Sequence, residues 1–423
     1  MIKLNLEGIK AYAPMGAIQE EVVKNSDMIR DCIAGKVNDK ENDGFFDLDT
    51  WASEEKLSTI QEIADEVREK ADVFVVIGVG GSNRGAQALL EPLGDDKVEI
   101  IYAGDDLSCH AIKRVLKRIE GKSVYIDCIA KNFKTIEPGI AFRTLRGYLE
   151  KVYGDKANER IIVTGSHGEG QLEELAEKHG YTFLDFPWDI GGRFSVMSNV
   201  GLLPVAVAGV DIKKVIAGAR ACRERLSTGD ITENPAALYA VARNMLYRKG
   251  FVIESFTVFE KELEYLARWF VQLYGESEGK TEHCIFPTMA SFSEDLHSLG
   301  QYIQDGERMI FETFLDMRYQ NEEQIPQTSV VDGFEYLDGL SYDALNEAVY
   351  KASYTAHTKD GVPVIEFVAG EPTAESLGEF LYLMLICCVV SANYIGVSPF
   401  MQDGVEAYKK NMIKYLSQMQ KGQ

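Results

Sequence analysis

Val73-Phe-Val-Val-Ile77 runs straight into Gly78-Val-Gly-Gly-Ser82, and no other junction constrains the fold of this chain as tightly. Five consecutive apolar residues, four of them β-branched, leave no polar face for water. The segment therefore reads as a strand buried on both sides, the pattern of a parallel sheet. Just before it, Ser53 to Lys70 carries Leu57, Ile60, Ile63, Ala64 and Val67 at spacings of three and four, an amphipathic helix. Strands are expected again at Val98–Ala103, Val124–Ile129 and Arg160–Thr164, with helical patterns between them. This alternation implies βαβ units and an α/β fold with a doubly wound parallel sheet.

A chain of 423 residues is too long for one ordinary core. A second α/β unit is expected after the helical stretch Ile212–Leu226, with strands at Phe251–Phe256 and Val362–Val368. Helices at Thr373–Asn393 and Gly404–Gln418 follow. The expected division is an N-terminal arm over 1–50, which includes the polar loop Asn38–Asp43, then α/β units over 51–210 and 211–423. The longest apolar run, Phe380–Val390, falls short of the ~20 residues a bilayer span needs and reads as a buried helix. The first residues lack the basic-then-apolar order of a secretory signal. A formal charge of −22 argues against nucleic-acid or anionic-membrane partners. It also means that an anionic ligand must be captured at short range, by backbone N–H groups and a few cations. Seven cysteines without a C-x-x-C pair or zinc spacing suit a reducing, cytoplasmic setting.

Four stretches could carry chemistry. Gly78–Ser82 sits between a strand and a helix, where glycine permits close approach and the helix N-terminus offers N–H groups to an anion. A plain tight turn reads the same way, and the glycine spacing is not that of a dinucleotide fingerprint. Asp189-Ile-Gly-Gly-Arg193 sets a permanent cation beside two glycines, suited to a developing oxyanion. A surface arginine paired with Asp189 is the bland alternative. In Gln272-Leu-Tyr-Gly-Glu276-Ser-Glu-Gly-Lys280 and Asp295-Leu-His297, a glycine-flanked carboxylate and a histidine form a candidate acid/base pair. Glu278 reads as a solvated charge and His297 as a core-edge histidine when each is taken alone. His283 and His297 lack metal-ligand spacing. At the last helix, Glu406 and Lys410 have the spacing of a surface pair, leaving Lys409 free to point into a cleft.

Taken together, Asp189–Gly201 with Leu202-Leu-Pro204, Gly275–Lys280, Asp295–Gln301 and Gly404–Lys409 resemble the glucose-6-phosphate isomerase family in its shorter bacterial form. The order and spacing agree from about residue 45 to the C-terminus. The resemblance implies two sugar-isomerase (SIS-type) domains and a homodimer whose site is completed across the interface. It further implies a sugar-phosphate substrate with no metal or organic cofactor. Matched position by position, Glu276 is the base that moves a proton between C1 and C2, and Arg193 stabilises the cis-enediolate. His297, from the neighbouring subunit, and Lys409 serve ring opening. Gln272 and Gln402 contact the sugar, and Gly81 and Ser82 belong to the phosphate site.

The main phosphate loop departs from the family. Its usual Ser-Lys-Ser-Gly-Thr-Thr reads Ala130-Lys131-Asn132-Phe133-Lys134-Thr135 here, and Met401 stands where the family has Asp or Asn. Lys131 and Thr135 are kept while Asn132 replaces a small hydroxyl residue, and the resemblance implies all three as phosphate ligands. Each charge-assisted bond lost with a hydroxyl would cost about 1.5–3 kcal/mol. Lys134 would compensate if it turned inward. Two alternatives follow: an isomerase for another phosphorylated or acidic sugar, and a non-catalytic sugar-phosphate-binding regulator on the same fold.

Overall fold

All five residues of the first expected strand are buried, in β2 (Val73–Ile77), the second strand along the chain after β1 (Lys3–Asn5). A computed structural model describes residues 1–37, 42–168, 170–320 and 323–421; the expected polar loop Asn38–Asp43 lies outside the described residues as far as position 41. β2 pairs in parallel with β3 (Glu99–Ala103) on one side and with β4 (Val124–Ile129) on the other. β5 (Ile161–Gly165) and β6 (Thr182–Asp185) extend the sheet to the order β3-β2-β4-β5-β6. The chain leaves β2 towards β3 and returns to β4 on the opposite side. The crevice beyond the carboxyl ends of β2 and β4 is therefore a topological switch point, where α/β sheets bind ligands.

A second five-stranded sheet repeats this plan in the order β8-β7-β9-β10-β1, built from β7 (Ile253–Val258), β8 (Phe286–Ser291), β9 (Ile310–Met317) and β10 (Val364–Gly370). Its pairs are parallel except at the edge, where β1 runs antiparallel to β10. The N-terminal segment thus closes the second sheet, and its two helices place Ile18, Val22 and Ile29 in the core.

Helix Ala374–Tyr394 is long and apolar enough to cross a membrane, yet 83% of its most apolar window is buried inside the protein. Sixteen of its residues are buried, consistent with an all-round apolar helix at the centre of a core. One apolar cluster reaches from β2 through this helix to β7 and β10, so both sheets share it. The helices that follow the two equivalent central strands, Gly81–Leu93 after β2 and Glu264–Glu278 after β7, pack against each other. That contact sets the Gly78–Ser82 turn of one unit beside Gln272 on the helix of the other. All seven cysteines are unpaired.

Candidate active site

Stretches separated by more than two hundred residues converge on one side chain. Arg193 lies in the short helical turn Gly192–Met197 and is only 2% exposed. Its Nη1 stands 3.2 Å from Glu276 Oε2 and donates to Gln402 Oε1 at 2.9 Å, while Nε donates to Ser277 Oγ at 2.8 Å. Nη2 donates to the carbonyls of Pro399, Phe400 and Met401. The surface pairing of Arg193 with Asp189 does not occur; Asp189 packs instead against the Gly44 backbone. Burial draws the guanidinium pKa down from its ordinary value, and the Glu276 carboxylate pulls it back up. An arginine still keeps its proton at neutral pH.

Glu276 is held from both sides. Gln272, one helical turn earlier, donates Nε2 to Glu276 Oε1 at 2.9 Å. The carboxylate remains 35% exposed and opens on a cavity of about 930 Å³ that Gly80, Asn83, Arg84 and Gln272 also line. A fixed carboxylate beside a buried permanent cation can take a proton next to a carbonyl and hold the resulting enediolate.

Glycine is required where the turn after β2 meets the turn that carries Arg193. A Cβ on Gly81 would stand 2.1 Å from the Gly192 carbonyl carbon and 2.6 Å from the Arg193 nitrogen. Gly81→Ala is therefore expected to displace the turn that carries Arg193 and to lower turnover at least tenfold, measured as initial rates against wild type. Wild-type turnover in that variant would mean that the contact is not needed. Ser82 follows in the first turn of the helix, half-buried.

The loop after β4 lies beside it. Lys131 reaches across to donate to the Ile190 carbonyl at 3.3 Å, and Asn132 Oδ1 accepts from the Lys134 N–H at 3.3 Å. Phe133 adopts φ +48°, an uncommon left-handed conformation for a bulky residue, and packs edge-on against Phe142 at 5.8 Å. Thr135 precedes the 18-residue helix Ile136–Tyr153 without capping it by its side chain, so its hydroxyl is not committed to the helix. Lys134 is exposed.

Arg193, Glu276, Gln272, Gln402 and Gly81 are thus brought together in a single chain. His297 is not among them: it is exposed on the turn Glu294–His297, outside the residues lining the cavity. Lys409 pairs with Glu406, its Nζ 2.8 Å from Glu406 Oε1, so the pair expected between Glu406 and Lys410 forms with Lys409 instead. A second correction concerns Glu278. Far from being solvated, it is 1% exposed and accepts from Arg243 Nη1 at 2.6 and 2.7 Å. Both glutamates lie on the helix Glu264–Glu278, so two positions turn the side chain by ~200° and aim Glu278 into the core. Sequence reasoning misses Ser277 and Lys280 as site residues, although both belong to the same Gly-Glu-Ser-Glu-Gly-Lys run.

The sequence pattern of the family described as phosphoglucose isomerase matches residues 64–395. The chain belongs to the phosphoglucose isomerase family. Among relatives, the glucose-6-phosphate isomerase of Alkaliphilus metalliredigens is 40% identical over 387 residues, covering 88% of this chain and 86% of that one. The glucose-6-phosphate isomerase of Staphylococcus epidermidis is 39% identical over 382 residues, with the same coverage of both chains. Two solved structures share the fold. A hypothetical protein from Thermus thermophilus aligns with a TM-score of 0.89 at 24% identity, over 98% of this chain and 100% of its own. A glucose-6-phosphate isomerase from Chlamydia trachomatis aligns with a TM-score of 0.82 at 18% identity, over 96% and 86%. The matched region contains Arg193, Glu276 and Gln272, while Gln402 and Lys409 lie beyond its end.

Proposed function

We propose that the chain interconverts glucose 6-phosphate and fructose 6-phosphate, an aldose–ketose isomerisation of cytoplasmic hexose-phosphate metabolism. The contact between buried Arg193 and Glu276, at 3.2 Å, carries this reading. Glu276 removes the proton from C2 of the open-chain aldose and returns it to C1. Arg193 faces the negative charge that forms on the enediolate oxygens, where a preorganised cation stabilises the transition state more than the ground state. Gln272 and Gln402 orient the sugar hydroxyls. The N–H groups around Gly81 and Ser82, together with Lys131, Asn132 and Thr135, hold the phosphate at the ends of β2 and β4. The uncommitted Thr135 hydroxyl and the start of a long helix suit an anion there, despite the altered loop.

His297 and Lys409 assist ring opening in this reading, with His297 arriving from a second copy in a homodimer. The exposure of His297 and its absence from the cavity lining support that arrangement. A monomeric sedimentation coefficient in a fully active preparation would overturn it. The activity itself is tested by a coupled assay on the purified protein with a panel of aldose phosphates and unphosphorylated glucose. Glucose 6-phosphate is expected to exceed glucose in kcat/KM by several orders of magnitude. A different aldose phosphate turning over faster would move the substrate, and no turnover on any would refute the reading.

A further inference from the structure

Lys280 borders the Arg193 network, bonded to the residue before the three whose carbonyls Arg193 holds, and belongs to no ion pair among the described residues. The helix Glu264–Glu278 ends at Gly279, where a Cβ would fall 2.5 Å from the Gly275 carbonyl oxygen. Only glycine lets the chain fold back so closely over its own last turn, and the Lys280 N–H then donates to Glu278 O at 2.7 Å. This reversal returns the Lys280 side chain to the segment that Arg193 grips. Its Nζ donates to the Ser398 carbonyl. Arg193 takes the next three carbonyls, of Pro399, Phe400 and Met401, and then the Gln402 side chain. Two cations therefore clasp five consecutive residues, and no carboxylate lies within ion-pair distance of the amine among the described residues.

A neutral side chain could bond one carbonyl at less electrostatic cost than a half-buried ammonium beside a buried guanidinium. Resting on the reading of Glu276 and Arg193 as the reacting pair, we infer that Lys280 is a positioning residue, holding the Ser398–Gln402 turn so that Arg193 and Gln402 stay aimed at the sugar. The charged groups around the amine are Arg193, Glu276 and Asp403, with the buried Cys388 thiol nearby. Burial, then the Arg193 charge, pushes the amine pKa down to about 8, so its charged form dominates at neutral pH and is lost as pH rises through that value. An ionised donor bonds a carbonyl about twice as strongly as a neutral one, and the grip on the turn weakens on deprotonation.

The test is the pH dependence of kcat and KM from pH 6 to 10 for wild type, Lys280→Met and Lys280→Arg. Wild-type kcat is expected to fall along an alkaline limb near pH 8. Lys280→Met is expected to lose at least tenfold in kcat at pH 7, with KM changed less than threefold, and to lose the limb. Lys280→Arg, whose charge does not titrate in this range, is expected to recover most of the turnover and stay flat to pH 10. Wild-type kcat in Lys280→Met, or an alkaline limb at the same place in all three proteins, would overturn the inference. Wild type and Lys280→Arg decide the limb even if Lys280→Met folds poorly. If Glu276→Gln is inactive while Lys280→Met behaves as wild type, this inference alone fails; if Glu276→Gln keeps its rate, the underlying site assignment fails.

Discussion

Glu276→Gln is expected to lower kcat about a thousandfold while KM stays within a few-fold of wild type. The substitution preserves shape and one acceptor oxygen, which can stay opposite Arg193 Nη1. The new amide nitrogen then faces Gln272, whose Nε2 now donates to the carboxylate and whose buried Oε1 has no partner. A half-turn of the Gln272 amide presents that oxygen to the new donor, so the local geometry can survive. Only basicity is lost. A positioned general base contributes about 10²–10⁴ in rate, and an amide cannot replace it. Initial rates in the coupled assay, with KM from the same curves, measure the effect. A kcat within tenfold of wild type would remove Glu276 from the proton path.

The first sheet is legible in the sequence because its central strands bury both faces. Val73–Ile77 and Val124–Ile129 are found at the expected bounds, and both are fully buried. β8, Phe-Pro-Thr-Met-Ala-Ser, is not: it is an edge strand with Phe286 in solvent, and it carries no apolar run for a pattern to detect. β1 is three residues long and acquires its strand character from β10. The matching orders β3-β2-β4-β5-β6 and β8-β7-β9-β10-β1 are also hidden, since the topology is held by backbone pairing that different side chains can satisfy.

The site divides along a similar line. Arg193 and Glu276 can be singled out by type and by their glycine neighbours, but their 3.2 Å contact joins positions 83 apart in sequence. Glu278 misleads for the same reason: its partner Arg243 is 35 residues away, and a charge beside glycine looks like surface until that partner is known. Lys280 looks like an ordinary lysine until the fold-back at Gly279 places it against Ser398.

The largest stability effect is expected at that hidden partner. Arg243 is fully buried between Glu254 of β7 and Glu278, at 2.5 and 2.6 Å. It also donates to Ser391 Oγ at 2.8 Å, in the central helix Ala374–Tyr394. Tyr239 and Thr313 supply further hydrogen bonds to Glu254 Oε1. Arg243→Met keeps the volume and removes the cation, leaving two carboxylates without compensation in a medium that screens poorly. Breaking a buried pair in this way costs about 3–5 kcal/mol, a large share of the ~5–15 kcal/mol that holds a typical domain folded. The deficit of Arg243→Met relative to wild type is read as the shift in denaturant midpoint at pH 8. The double variant Glu254→Gln with Glu278→Gln, added to Arg243→Met, should recover much of the loss at pH 8, because neutral amides need no counter-charge. Because Glu278 is two residues from Glu276, Arg243→Met should also lower kcat at temperatures where the protein remains folded. A midpoint unchanged at pH 8 would show that water or a rearranged side chain reaches the two carboxylates, and the buried triad would lose its place as the anchor of the catalytic helix.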